Sequence, residues 1–276
     1  MSKFTVITGF AALAALQSVN AQADEWNCKF SADRTANVPT AGVTRLVLGA
    51  GAGDLKVRGE AGRTSAQADG RACAPTEKIL AEIKLESRRE GDTVYLKTVF
   101  PPDDHGRSGS LDLTVALPDS IAVSLEDSSG DIDLRSVRTA TVADSSGEQT
   151  IRDIAADLEI TDSSGDIVID NVGGNLTLKD SSGDVHVEEI KGDVTVTVDS
   201  SGDLDIRRVG GGVHIVNDSS GDIVVSDVQK NVKIDVDSSG GIRVSSVGGN
   251  FTVDADASGD IHHDKVLGKV QVPPKH

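Results

Sequence analysis

Asp162-Ser163-Ser164-Gly165-Asp166-Ile167-Val168-Ile169-Asp170-Asn171-Val172-Gly173-Gly174-Asn175-Leu176-Thr177-Leu178-Lys179 is one unit of a repeat, because Asp180-Ser181-Ser182-Gly183 begins it again. The tetrapeptide Asp-Ser-Ser-Gly starts at Asp127, Asp144, Asp162, Asp180, Asp199, Asp218 and Asp237, and Asp-Ala-Ser-Gly starts at Asp256. The intervals are 17, 18, 18, 19, 19, 19 and 19 residues. Apolar residues keep the same register. Five residues after each leading Asp stand Ile132, Gln149, Ile167, Val185, Leu204, Ile223, Ile242 and Ile261, and seven after stand Leu134, Ile151, Ile169, Val187, Ile206, Val225, Val244 and His263. The tenth position is Val or Ile in every unit, and pairs such as Leu158/Ile160, Val213/Ile215 and Phe251/Val253 fill the fourteenth and sixteenth.

Each unit thus holds two short stretches of period-two alternation, which puts apolar side chains on one face of a strand and polar ones on the other. Ser-Ser-Gly marks one corner, and Gly173-Gly174-Asn175, Gly210-Gly211-Gly212 or Gly248-Gly249-Asn250 marks the next. Such residues supply positive φ and local capping. No unit carries a 3.6-residue period. A single coil cannot bury its own apolar face, so the coils must stack in parallel and in register. The fold expected is all-β: a single-stranded parallel β-helix (solenoid) of about 18–19 residues per coil over residues 106–272. The general preference of parallel crossovers makes it right-handed.

Before the repeats, residues 24–105 read as a β-rich N-terminal cap with degenerate coils. Strands are expected over Thr44–Leu48, Asp54–Val57, Glu82–Arg88 and Thr93–Phe100, with a hairpin turn at Glu90-Gly91-Asp92 and a short helix from Pro75 to Ala81. Residues 1–23 carry one charge, Lys3, an apolar run from Phe4 to Leu16 and an Ala21-Gln22-Ala23 cleavage pattern, so a signal peptide is expected, with export to the periplasm or cell surface. The run is too short for a convincing transmembrane anchor. Cys28 and Cys73 are the only cysteines, and in an oxidising compartment they are expected to form one disulfide; two free thiols or half a metal site is the lesser alternative, since no other cysteine or closely spaced histidine completes a ligand set. Residues 273–276 form a tail whose Pro273-Pro274 pair would blunt the last coil.

With 27 Lys and Arg against 44 Asp and Glu, the formal charge is −17, which opposes binding to nucleic acid. Two acidic positions recur in each turn: Asp162 and Asp166, Asp180 and Asp184, Asp199 and Asp203, Asp218 and Asp222. They admit two readings. Hard cations want several oxygen ligands, so the edge could be a line of calcium sites. Alternatively each leading Asp accepts hydrogen bonds from its own turn, with Gly taking the strained angle, which accounts for Asp, Ser and Gly together. No other cofactor is indicated.

An enzyme needs residues that break the pattern and converge. The carboxylates here belong to the repeat, so a carbohydrate-active β-helix is a lesser alternative, and no catalytic residue is assigned. His186 and His214 fall on outward positions, and His263 replaces a core residue in the last coil.

The run Val115-Ala116-Leu117-Pro118-Asp119-Ser120-Ile121, followed by Asp127-Ser128-Ser129-Gly130-Asp131-Ile132 and its repeats, resembles the bacterial β-strand-repeat putative adhesin family of unknown function. The resemblance covers roughly 42–272. It implies an exported, adhesin-like protein, and the function expected is interaction or scaffolding with a protein or glycan of the envelope or the extracellular space. Separately, open solenoid ends expose unpaired backbone and so allow end-to-end self-association. The family brings no agreed catalytic or binding residues. Outward Thr195, Lys233 and Arg243 are candidates to touch a partner.

Overall fold

The computed structural model describes residues 28–102 and 109–274. The expected signal peptide lies outside the described residues, as does the end of the tail. Nine strands open the chain: β1 (Phe30–Pro39), β2 (Arg45–Gly49), β3 (Leu55–Glu60), β4 (Ser65–Ala74), β5 (Lys84–Glu90), β6 (Thr93–Val99), β7 (Ser110–Pro118), β8 (Ala122–Glu126) and β9 (Ile132–Arg135). One helix, α1 (Glu77–Glu82), precedes β5. From β8 onward the chain winds as a parallel solenoid. Each coil gives one strand to each of two sheets, and among the described residues both sheets have twelve strands.

The register follows the repeat. Ile132, Gln149, Ile167, Val185, Leu204, Ile223, Ile242 and Ile261 lie over one another in the first sheet. In the second sheet Leu158, Leu176, Val194, Val213, Val232 and Phe251 do the same. The two columns face each other and form one continuous aliphatic core. Three apolar positions of each coil enter the first-sheet strand at five, seven and ten, and the step from seven to ten breaks the parity of a straight strand. The backbone solves this with one left-handed residue at the ninth position. Ser136, Asp153, Asn171, Glu189, Arg208, Asp227, Ser246 and Lys265 all have φ between +51° and +60°. None is glycine, and each costs on the order of 1 kcal/mol that the buried tenth residue must offset.

The change from 18 to 19 residues per coil is absorbed in the second sheet. Leu178 pairs with Val196 but Lys179 pairs with Val198, so Thr197 is bulged out. Its hydroxyl donates to the Leu178 carbonyl at 3.0 Å, which satisfies the group in place.

At the N-terminal end the coils do not stack in chain order. The coil made by β2 and β3 sits between the coil of β6 and β7 and the coil of β8 and β9: β2 pairs in parallel with β6 and β8, and β3 with β7 and β9. The chain therefore steps across a finished coil between β7 and β8. Gly59 lies under that crossing, where a Cβ would sit 1.8 Å from the Ser136 carbonyl oxygen and 2.9 Å from Asp119 Cα. Antiparallel strands close this end, β5 on β6 in one sheet and β4 on β7, then β1 on β4, in the other. The strands expected at 44–48, 54–57, 82–88 and 93–100 are all present. β1 and β4 were not anticipated: Ala, Gly and Arg give them little strand propensity, and pairing with β7 holds them.

The Cys28–Cys73 disulfide joins the start of β1 to β4. α1 begins where the Thr76 hydroxyl accepts from the Ile79 N–H, and it covers a small core of Ala72, Ala74, Ile83 and Leu111. Arg34 donates to the carbonyls of Ile83 and Leu80, both at 2.7 Å, and ties β1 to the helix.

Candidate functional site

The Asp-Ser-Ser-Gly-Asp turns form three ladders along one edge, and each uses a different atom of the motif. The second serine donates its hydroxyl to the first serine's carbonyl in the preceding coil: Ser164 to Ser145 at 3.1 Å, Ser182 to Ser163 at 3.2 Å, Ser201 to Ser181 at 3.3 Å, Ser220 to Ser200 at 3.2 Å. The glycine makes the close approach possible. Gly202 has φ +126°, and a Cβ there would lie 1.9 Å from the Gly183 carbonyl oxygen. The second Asp accepts from the amide one coil on: Asp166 from Asp184, Asp184 from Asp203 and Asp203 from Asp222, each at 2.9 Å. Asp222 accepts from Gly241 at 2.8 Å and also from Arg243 Nη1 at 2.8 Å, and these donors hold its carboxyl below the usual range, Arg243 foremost.

The leading aspartates point the other way. Asp162, Asp180, Asp199, Asp218 and Asp237 are 0–1% exposed, and Asp127 and Asp144 are also buried. Asp144 and Asp180 each accept from the next serine's N–H at 2.7 Å through Oδ1, and Asp237 accepts from Ser239 at 3.1 Å. Oδ2 of Asp144, Asp180 and Asp237 lacks a hydrogen-bond partner, and the carboxyl oxygens of Asp127, Asp162, Asp199 and Asp218 meet only the N–H groups of their own turn serines, none in good hydrogen-bond geometry. Burial raises these acids, to about 7 for Asp127, Asp199 and Asp218 and about 6 for Asp162 and Asp237. The two acidic positions of a turn thus face opposite sides of the wall, one inside and one toward solvent. Among the described residues no group of three or more His, Cys, Asp or Glu is gathered as a metal ion would need.

The inward turn of the leading Asp was readable in the shorter coils. In Leu158-Glu159-Ile160-Thr161-Asp162 and Leu176-Thr177-Leu178-Lys179-Asp180 the alternation runs unbroken into the aspartate, which places it on the core side. In longer coils the bulge preserves that direction.

The outer faces carry charged and hydroxyl side chains in columns. Thr177, Thr195, His214, Lys233 and Thr252 run up the second sheet. His214 Nε2 lies 2.8 Å from Asp235, and Lys233 Nζ bridges Asp235 at 2.6 Å and Asp254 at 3.1 Å. Lys233 first, then His214, holds Asp235 below the ordinary carboxylate value. On the first sheet His186 approaches Asp205 at 3.4 Å and Glu188 at 3.8 Å, and Arg207 and Arg208 pair with the same acids. Both histidines therefore lie on the outer faces beside carboxylates, and His263 is exposed at the end, 6.2 Å from the Phe251 ring. Arg243 also lies outward.

The fold and its turns define an all-β parallel solenoid with two broad outward sheet faces. Residues 81–272 match the Toastrack DUF4097 family model, and the chain belongs to that family. Among solved structures, a putative adhesin from Bacteroides fragilis NCTC 9343 is 16% identical over 89% of this chain and 98% of its own, with a TM-score of 0.45. A putative adhesin from Parabacteroides distasonis ATCC 8503 is 11% identical over 88% and 97%, with a TM-score of 0.48. A putative lipid binding protein from the same organism is 15% identical over 86% and 96%, with a TM-score of 0.44. No curated protein matches the chain significantly.

Proposed function

We propose that this chain is a non-enzymatic interaction scaffold exported to the cell envelope, adhesin-like in that it binds through its walls. The observation that carries this reading is the pair of broad sheet faces with in-register columns of Thr, Lys, His, Arg and Asp, a repeating polar surface suited to a protein or glycan partner. Most turn carboxylates of the second position are already engaged by backbone amides, so the partner meets the faces rather than the turn edge. The disulfide fits an oxidising compartment, and no helix among the described residues is long and apolar enough to cross a membrane.

The test uses the immobilised protein against envelope fractions and a glycan array. Charge reversal on one face (Lys233→Glu) and on the other (Arg207→Glu) should separate them: saturable binding should fall at least tenfold for one and stay unchanged for the other. Binding indifferent to both, or no saturable ligand, contradicts the proposal.

A second reading concerns the C-terminal end. Among the described residues, strands Ile261–Val266 and Val270–Gln271 end the two sheets, and although the Pro273-Pro274 pair follows them, Leu267 is 83% and Val270 38% exposed; at the opposite end the sheets finish in antiparallel β1 and in β5, which carries five charged residues. This asymmetry supports end-to-end self-association through the C-terminal coil. Sedimentation should show a concentration-dependent dimer that Leu267→Asp abolishes; a monomer at all concentrations removes the reading.

A further inference from the structure

We propose that the leading aspartates from Asp127 to Asp237 form a proton-binding column inside the rod, each shared proton bridging carboxyl groups of successive coils, so that the solenoid is an acid-favoured fold that loosens as the column ionises. The geometry comes first. Asp199, Asp218, Asp237 and Asp256 are Cα partners in the parallel ladder, and the register Glu126↔Ala143↔Thr161↔Lys179↔Val198 of the residues just before the acids carries the same column through Asp127, Asp144, Asp162 and Asp180 to Asp199. Parallel strands stand about 4.8 Å apart, so like charges in this column would meet in a low-dielectric interior. A buried carboxylate without partners costs several kcal/mol, and the usual escape is to keep the proton.

The pattern of partners shows how protons can be shared. Asp144 and Asp180 each have one oxygen held by their own turn and one left without a partner. Asp127 and Asp162 flank Asp144, and Asp162 and Asp199 flank Asp180, and in all three neither oxygen makes a well-formed hydrogen bond, the turn amides approaching only at poor geometry. A protonated Asp127, Asp162 or Asp199 would be a donor one coil away from an acid that keeps one oxygen without a partner. A neutral acid donating to a carboxylate is also among the stronger hydrogen bonds available to a protein.

The charges that act on the column are themselves acidic. Asp54 and Asp144 face Asp127; Asp131 faces Asp144; Asp144 and Asp180 face Asp162; Asp166 faces Asp180. Asp180 and Asp184 face Asp199, Asp199 and Asp237 face Asp218, and Asp222 and Asp256 face Asp237. Only the turn amides pull the other way. An unfolded aspartate releases its proton near 3.8, whereas these keep it to about 6 or 7. Their contribution to stability is therefore complete below pH 3.8 and disappears as pH rises through 6 to 7. Asp133, Asp193 and Asp235, held low by Arg135, by the Gly212 amide and by Lys233, act oppositely and only below pH 3.8. Stability should peak near pH 4 and fall from there upward.

The full chain is unfolded by denaturant from pH 4.5 to 8.5. Each proton held only by the folded state changes the unfolding constant about tenfold per pH unit, so a column sharing several should give at least about a hundredfold per unit between pH 5 and 6.5. Asp199→Asn and Asp218→Asn keep shape and supply a donor without charge; they should flatten that slope and stabilise the rod at pH 8. Infrared spectra of the parent chain at pH 7 should show the carbonyl stretch of protonated carboxyl groups, a readout that stands even if a variant fails to fold. Flat stability from pH 5 to 8, or no protonated carboxyl band at neutral pH, overturns the proposal. So does rescue at pH 8 by calcium or sodium, which would assign the column to metal ions instead.

Discussion

The two ends of the chain build the same wall by different means. From Asp127 onward each coil lies on the one before it, and identical atoms repeat identical contacts: serine hydroxyl to carbonyl, aspartate to amide, aliphatic residue on aliphatic residue. Between Cys28 and Pro118 the order is broken, with the coil of β2 and β3 slotted between later ones and antiparallel strands, a helix and a disulfide holding the end. Repetition suits extension, because each coil needs only its neighbours. Termination needs something else. The irregular segment replaces the parallel coil edge with antiparallel β1 and a charged β5, which is a different surface from the one a repeat coil offers.

The sharpest way to break this comparison is at the glycines. Gly202→Ala puts a Cβ 1.9 Å from a backbone carbonyl at φ +126°, and should cost at least about 4 kcal/mol in denaturant unfolding. Gly62 and Gly91 in the N-terminal turns also have positive φ but open space around them, so Ala there should cost only about 1 kcal/mol. Equal losses would mean that coil-to-coil contact is not what the repeat glycine serves.

Next in size, reducing Cys28–Cys73 or making Cys73→Ser should cost about 2–4 kcal/mol. Hydrogen exchange should quicken in β1 and β4 while strands from Ile167 onward stay protected; uniform loss of protection would deny that the cap is a separate layer of stability.

Gln149 gives a test with the opposite sign. It sits in the column between Ile132 and Ile167, 1% exposed, with both amide atoms unpartnered. Gln149→Ile should stabilise the rod by about 1–2 kcal/mol in thermal or denaturant unfolding. Destabilisation would show that the amide has a partner. The smallest effect is at the left-handed ninth position: Glu189→Asn should gain a few tenths of a kcal/mol, and Glu189→Val should lose about 1–2 kcal/mol in the same unfolding assay.

These same residues show what could be read in advance. The solenoid was legible because a period of 17 to 19 residues and a period of two coincide over eight units. The left-handed ninth residue left only an indirect trace, the parity step between Ile169 and Val172, since Glu189, Arg208 and Lys265 do not announce positive φ. The interleaved coil left none. Leu46 and Leu48 in β2 resemble Val94 and Leu96 in β6, and nothing local says which of them lies next to Val123 in β8. Stacking order is a choice among chemically similar neighbours. Of the turn acids, both positions were visible as a repeat, but their opposite directions follow only from continuing the strand alternation into the turn.

Nitroxide labels at Thr177→Cys and Thr252→Cys test the stacking itself. These outward positions are four parallel steps apart, Thr177 to Thr195, His214, Lys233 and Thr252. At about 4.8 Å per step their backbones lie roughly 19 Å apart, and pulsed electron–electron spectroscopy should give one narrow distance near 2 nm. A broad distribution, or a distance well outside that value, would mean that these coils do not lie directly over one another.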